Sequence, residues 1–339
     1  MTIDVNDVLW DEYFNRLPKE KQDIYYTRNY CRLGQKMSGG AAELFVYEED
    51  DGFVIYPYIK RIVPGTDSQT RYYDIETPYG YGGPVASAGT QSLARNFEKA
   101  FLEYCAKENI IAEFIRFHPL LKNEGIFVNG IDVLHNRITV WLDLSKGLDA
   151  IWTDDISTKN RNVIRKCEKN GLIVEQSRDY AEFACIYNQT MRRVDAGEFY
   201  FFPDSYYEEI KNDSDYILMR VRMGGETLAC AIFMKCGDYF HYHLSGSRSE
   251  FLKLSPNNIL LWEAVKYAEG AGCKAMHFGG GLTDSKEDSL FRFKSRFSSE
   301  CADFYIGKRV HNRELYDALI QKWEAEHGRK AKILLQYRE

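Results

Sequence analysis

The chain has 339 residues, enough for two ordinary domains or one large one, and 45% hydrophobic against 28% charged residues provides a normal globular core. A formal net charge of -6 excludes a protein that coats long nucleic acid, while leaving room for a local basic patch that holds an RNA end or a phosphorylated small molecule. The eight cysteines are scattered without a C-x-x-C pair, which fits neither a zinc ribbon nor a disulfide framework and points to a reducing compartment. Residues Met1 to Trp10 lack a basic start and an apolar run, and no stretch approaches the ~20 apolar residues of a membrane span, so a cytoplasmic location is expected.

In chain order, Trp10 to Asn15 reads as a short helix, and Leu44 to Tyr47, Phe53 to Arg61 and Arg71 to Ile75 as strands. The turn-rich Tyr79-Gly-Tyr-Gly-Gly-Pro84 follows, then a helix over Gln91 to Glu108 and a buried strand over Ile110 to Phe117. The second half repeats this order. Ser157 caps a helix that ends before Gly171, and Leu172 to Glu175 is a strand. After a helix over Ala181 to Val194, three meander strands cover Tyr216 to Met223, Thr227 to Cys236 and Tyr239 to Ser245, with Gly224-Gly225 turning the first hairpin. A helix over Pro256 to Ala271 leads into the strand Cys273 to Phe278, and a helix over Ser285 to Phe297 comes after the glycines. Cys301 to Lys308 reads as a strand, and the helix Asn312 to His327 is stopped by Gly328. The expected fold is therefore α/β (α+β), mixed sheets flanked by helices, with an internal duplication whose boundary separates 1-150 from 151-339.

His277-Phe-Gly279-Gly280-Gly281 ends a strand and precedes a helix, with Asp284 or Ser285 as N-cap and Glu287 or Asp288 at N3 of a capping box. Those acids repel a phosphate, so the glycines are either a packing turn or room for a substrate against the sheet. Downstream, Leu290, Phe293 and Phe297 share one helix face beside Lys294. Such a lysine either snorkels over apolar surface or is a fixed cation near a reacting carbonyl. On the strand carrying His241 and His243, Tyr242 faces the opposite way and is a candidate cleft residue that relays a proton or hydrogen-bonds the acceptor. The loop of Tyr79, Tyr81 and Gly82 suits either a structural turn or an acceptor-binding wall. Lys159, Arg161, Arg165, Lys166 and Lys169 form either a solvated face or a contact for a tRNA acceptor stem or diphosphate. The seven histidines show no H-E-x-x-H spacing, and no catalytic metal is expected.

Several blocks resemble the FemABX-type peptidyl and aminoacyl transferases of the Gcn5-related N-acyltransferase (GNAT) superfamily. They are Tyr56-Pro57 with Lys60-Arg61, Pro78-Tyr-Gly-Tyr-Gly-Gly-Pro84, the run Lys159-x-Arg161-x-x-Ile164-x-Lys166-x-x-Lys169-x-Gly171, Thr190-Met191-x-Arg193, Tyr242-His-Leu-Ser245, the glycine run, and Ser289-Leu-Phe-x-Phe-Lys294 with Phe297. The resemblance implies two tandem Gcn5-like domains, 1-150 on the acceptor side and 151-339 on the donor side, without the coiled-coil arm of some members. It implies an acyltransferase that forms an amide on an amine of a cell-envelope precursor, a peptidoglycan stem or surface polysaccharide. It further implies no tightly bound cofactor, aminoacyl-tRNA or acyl-CoA as co-substrate, and room for transient contact with a membrane surface. On this reading Lys294 and Tyr242 are expected to take catalytic roles, Phe293, Gly279, Gly280 and Arg248 to face the donor, and Tyr79, Tyr81, Gly82 and Arg193 the acceptor. The stretch Ser245 to Pro256 lacks the [R/Q]-x-x-G-x-[G/A] loop of CoA-using relatives, so an acyl-CoA-dependent N-acetyltransferase acting on an aminosugar or sugar nucleotide is the alternative, and a non-catalytic binding module a second one.

Overall fold

The computed structural model describes residues 1–66, 70–127 and 130–339. It contains two compact units, Met1–Asn136 with Asp303–Glu339, and Arg137–Ala302. The expected split at 150/151 differs from this division, because the chain enters the second unit inside the strand Asp132–Asp143 and comes back inside Cys301–Val310. The closing helix therefore belongs to the first unit.

In the first unit the strands Thr2–Asp4, Ala41–Glu49, Gly52–Ile62, Tyr73–Glu76, Ile110–Arg116 and Cys301–Val310 lie side by side in that order. All neighbours are antiparallel except Tyr73–Glu76 and Ile110–Arg116, which run parallel because the helix Gln91–Lys107 carries the chain over between them. Thr90 caps that helix by accepting from the Leu93 N–H at 3.3 Å. Its spacing puts Leu93, Phe97, Phe101 and Cys105 onto Phe45, Tyr56 and Tyr58 of the sheet. On a second apolar cluster, Leu319 and Trp323 of the helix Arg313–His327 meet Ile111, Ala112, Leu334, Leu335 and Tyr337. The C-terminal segment is also held by charge: the buried Asp74 carboxylate accepts from Tyr337 Oη at 2.8 Å and Arg338 Nε at 2.6 Å. Arg309 likewise donates to the buried Glu98 at 2.5 Å.

The second unit repeats the pattern. Its strands run in the order Asp132–Asp143, Ala275–Gly280, Tyr239–Ser247, Glu226–Cys236, Tyr216–Met223 and Ile173–Ser177. The meander of Tyr216–Met223, Glu226–Cys236 and Tyr239–Ser247 is antiparallel, and the helix Pro256–Gly270 returns the chain so that Ala275–Gly280 lies parallel to Tyr239–Ser247. Ile259, Leu260, Ala264, Val265 and Ala268 of that helix pack on Phe233 and Phe240. Each unit thus carries an antiparallel meander, a helix and a strand parallel to the last meander strand, which is the repeated order the sequence shows. Both units are mixed α/β, as expected.

Most element bounds shift by one or two residues from the sequence reading. Ser157 does cap Thr158–Lys169, accepting from Asn160 N–H at 3.3 Å, and Gly328 ends the last helix with φ +63°. The helices Arg28–Ser38 and Asp204–Ile210 and the strand Asp132–Asp143 escaped it. The helix after the glycines is shorter than expected, Ser289–Lys294 rather than Ser285 to Phe297. Among the described residues no helix is long and apolar enough to cross a membrane.

Gly246 lets the helix Tyr180–Arg193 lie against the strand Tyr239–Ser247, since an added Cβ would sit 2.8 Å from Tyr187 Cα and N. Gly246→Ala should therefore cost about 1–3 kcal/mol, because two backbones must separate. Gly270→Ala, with nothing within 4 Å of its Cβ, is the control that should stay near wild type in the same urea titration.

Candidate active site

The parallel ladder between Tyr239–Ser247 and Ala275–Gly280 covers only Tyr239 with Ala275, Phe240 with Met276, and His241 with His277. Beyond it both strands carry irregularities. Opposite Glu226–Cys236 the register slips so that Ile232 faces Leu244 and Phe233 faces Tyr242, leaving His243 as an extra residue. Opposite Asp132–Asp143, His277 faces Trp141 and Gly279 faces Val140, leaving Phe278 as the extra one. A bulge bends its strand and re-aims the next side chains, so two bulges beside the last shared pair part the strands. Gly279 supports its bend at φ +76°, a conformation that disfavours a side chain.

Lys294 comes to this place from the helix Ser289–Lys294. Its side chain is 7% exposed, and Nζ donates to the Gly280 carbonyl at 2.7 Å and stands 5.8 Å from the centre of the Tyr242 ring. Among the described residues no carboxylate forms an ion pair with it. Burial pushes its pKa down to about 7; Asp288 opposes the shift and Arg137 adds to it. The ammonium is thus poised between charged and neutral near physiological pH, and the side chain is buried rather than laid out over the surface.

The glycines serve this chain's own side chains. A Cβ on Gly280 would meet Arg137 Cδ at 2.8 Å, and one on Gly281 would meet Asp288 Oδ1 at 2.5 Å. Arg137 Nη1 donates to the carbonyls of Gly281 at 2.7 Å and Leu282 at 3.3 Å. Room for a substrate against the sheet at Gly280 is therefore already filled. The expected caps Asp284 and Ser285 give way to Asp288, whose carboxylate accepts from the N–H groups of Leu282, Thr283, Leu290 and Phe291 at 2.9–3.2 Å. Burial alone would raise its pKa, but these four donors hold it below the usual carboxylate range. The nest of backbone N–H groups that could have held a phosphate contains the chain's own anion, as the acidic run implied.

Tyr242 packs against Phe233, and its hydroxyl donates to Ser245 Oγ at 2.6 Å, while burial pushes its pKa up to about 12. His241 and His243 point to the opposite face, as alternation suggested: His241 stacks near Tyr239 and His243 meets Tyr206. Phe293 is half-buried and edge-on to Phe297 at 5.7 Å. Arg193 and Thr190 do not enter this group; they hold the strand end, Arg193 donating to the Ser247 carbonyl at 2.8 Å and Thr190 Oγ1 accepting from Ser247 N–H at 2.9 Å. Arg248 follows that strand end, with Nε buried and without a partner. On the basic helix, Arg161 is committed to the carbonyls of Trp152, Thr153 and Ile156, and Arg165 lies over the Trp152 ring, whereas Lys159, Lys166 and Lys169 are exposed.

Tyr79, Tyr81 and Gly82 form a separate cluster in the first unit. Tyr30 Oη donates to the Tyr79 carbonyl at 2.5 Å, and the Gly82 carbonyl accepts from Asn123 Nδ2 at 2.8 Å. Tyr81 is half-buried against Tyr25, His118 and Phe304. Beneath it, His118 Nε2 lies 2.7 Å from Asp23 Oδ2, both fully buried. Leu120 and Leu121 N–H donate to His118 Nδ1, so the proton sits on Nε2 and points at Asp23. Sequence reasoning missed this dyad because its members are 95 positions apart, and it missed Arg137 because a basic residue on an alternating strand carries no signal.

Residues 157–294 match the family model of the acetyltransferase (GNAT) domain. The UDP-N-acetylmuramoylpentapeptide-lysine N(6)-alanyltransferase of Weissella viridescens is 22% identical over 297 residues, 81% of this chain and 87% of that relative. The crystal structure of FemX superposes with a TM-score of 0.73 at 16% identity, covering 94% of this chain and 99% of that one. The C-terminal domain of a putative lysylphosphatidylglycerol synthetase from Agrobacterium fabrum gives 0.54 at 15% identity, covering 91% and 96%.

A lysine with a folded pKa near 7 but an ordinary unfolded value makes unfolding take up a proton between about pH 7 and 10, so stability rises with pH there. Wild type should accordingly gain on Lys294→Met as pH is raised across that window, read from urea titrations at both ends. Parallel curves would show that the ammonium is not desolvated.

Proposed function

We propose that this chain, a FemABX-like acyltransferase of the GNAT superfamily, transfers an aminoacyl group to an amine of a cell-envelope precursor and forms an amide. The observation that carries the reading is Lys294, a buried ammonium held on the Gly280 carbonyl beside Tyr242 where two parallel strands part. Support for the acceptor class comes from the relative's action on the lysine of a muramoyl pentapeptide.

The neutral amine of the acceptor attacks the ester carbonyl of the donor. A C–N bond forms, the ester C–O bond breaks, and the alkoxide leaves with the proton that the amine loses. Positioning supplies most of the acceleration in such a reaction. Lys294 in its charged form stabilises the oxyanion, a role worth roughly 3 kcal/mol for one preorganised donor. Tyr242, with its hydroxyl held on Ser245, orients the attacking group and relays its proton. Phe293 stacks on the donor's terminal base, with the turn at Gly279 and Gly280 shaping the wall behind it. Tyr79, Tyr81 and Gly82 provide the acceptor-side wall of the first unit, and Arg193 acts on the acceptor through the strand end that it holds.

Aminoacyl-tRNA is the donor in this reading, with the exposed Lys159, Lys166 and Lys169 as its electrostatic contact. The second reading, acyl-CoA with an aminosugar acceptor, draws on one observation. The helix Pro256–Gly270 opens without a side-chain cap, close in sequence to the unpartnered Arg248 Nε.

A transfer assay with charged tRNA and acyl-CoA in parallel, using a muramoyl pentapeptide acceptor, decides between them. Product with charged tRNA alone is expected, and product with acyl-CoA alone would reverse the donor assignment. Lys294→Met should lower kcat about 100-fold, the loss typical of removing one oxyanion donor. Unchanged turnover would remove the lysine from the chemistry.

A further inference from the structure

His243 is the residue left over when the strand Tyr239–Ser247 slips against Glu226–Cys236. A bulge residue has no ladder partner to fix it, so its side chain must be held by something else. Here the holder is Tyr206, from the helix Asp204–Ile210, whose hydroxyl lies 2.6 Å from His243 Nε2. That distance is at the short end for a hydrogen bond of this kind. Tyr206 is itself fixed, 4% exposed, with its ring 4.5 Å from Phe202 and edge-on to Tyr207 at 5.4 Å. Phe202 and Tyr216 also face the imidazole, each at 6.5 Å between ring centres. Burial pushes the His243 pKa down to about 3, so the ring is neutral at physiological pH. Nothing in the transfer reaction uses either residue directly.

The bond acts on the neighbours of His243 in the chain. Tyr242, one residue before, emerges on the opposite face and stands beside Lys294, and Ser245, two residues after, accepts from the Tyr242 hydroxyl. A one-residue change at the bulge would move both, since strand side chains alternate faces. We infer that the Tyr206–His243 hydrogen bond is a latch that sets this bulge, making both of them positioning residues for Tyr242 and Ser245. The inference rests on the transfer reading for its kinetic part and on the strand geometry for the rest.

Tyr206→Phe tests it, because it deletes one hydroxyl and keeps the ring against Phe202. We expect kcat to fall about tenfold or more with KM for donor and acceptor within about twofold, since a misplaced reacting group costs rate rather than binding. Amide hydrogen exchange at Tyr242 to Ser245 should also quicken about tenfold as the bulge loosens. His243→Leu should reproduce the loss, and His243→Gln, which keeps a polar partner for the Tyr206 hydroxyl, should restore most of it. The double variant Y206F/H243L should lose no more than either single one, because both remove the same bond. Wild-type kcat and exchange in Tyr206→Phe, or additive losses in the double variant, would overturn the latch. If wild type transfers from neither donor, the transfer reading fails, and the exchange measurement still decides the latch.

Discussion

A parallel ladder that stops after three pairs is the constraint on which the setting of Lys294 depends. Had Tyr239–Ser247 and Ala275–Gly280 stayed paired to their ends, their backbone groups would have satisfied one another and left no place for Lys294. Because they part, the Gly280 carbonyl accepts from the Lys294 ammonium and the Gly281 carbonyl from the Arg137 guanidinium. Two cations thus take up carbonyls that a longer sheet would have claimed, and one of them is desolvated enough to change its charge near neutrality. A buried ammonium with no carboxylate partner among the described residues is costly to keep, which marks Lys294 as a candidate functional group.

The first unit shows the same construction put to a different end. Its strands Tyr73–Glu76 and Ile110–Arg116 also run parallel, but past their ladder they stay joined: Thr77 N–H reaches the Phe114 carbonyl at 3.1 Å and Gly82 bridges to Phe117. Tyr81, Tyr25 and the Asp23–His118 pair occupy the adjoining interior. One copy of the repeat opens where the other is packed shut with aromatic rings and the His118 imidazole. The same element order can thus end in an open strand pair in one unit and in a closed one in the other.

Much of the fold was legible because local signals agreed with one another. The three meander strands are apolar runs bounded by turns, Gly224-Gly225 turns the first hairpin, and Ser157 sits where a cap must. Lys294 was legible as a lysine among aromatics, and its burial bears out the special environment. The cap was not: Asp284, Glu287 and Asp288 offer similar local chemistry, and only the return of the loop over Leu282 and Thr283 selects Asp288. The helix Arg28–Ser38 was hidden because only Tyr30, Cys31 and Leu33 face inward from a polar stretch. Asp23 and His118 could not be paired from sequence, since no local rule joins residues that distant. The unit boundary was missed for a related reason, as a strand gives no sign of which sheet it will enter.

The return of Asp303–Glu339 to the first unit fixes the order in which the protein can be built during synthesis. When residues 1–136 emerge, Glu98 has not met Arg309, and Asp74 has met neither Tyr337 nor Arg338. Ile110–Arg116 also lacks its edge partner Cys301–Val310, and such an exposed strand edge invites wrong pairing. The second unit is contiguous in sequence and can close once residues 137–302 are clear of the ribosome, while the first must wait for residues 303–339. A chain stalled before residue 303 would then carry a complete second unit and a first unit without its edge strand and closing helix.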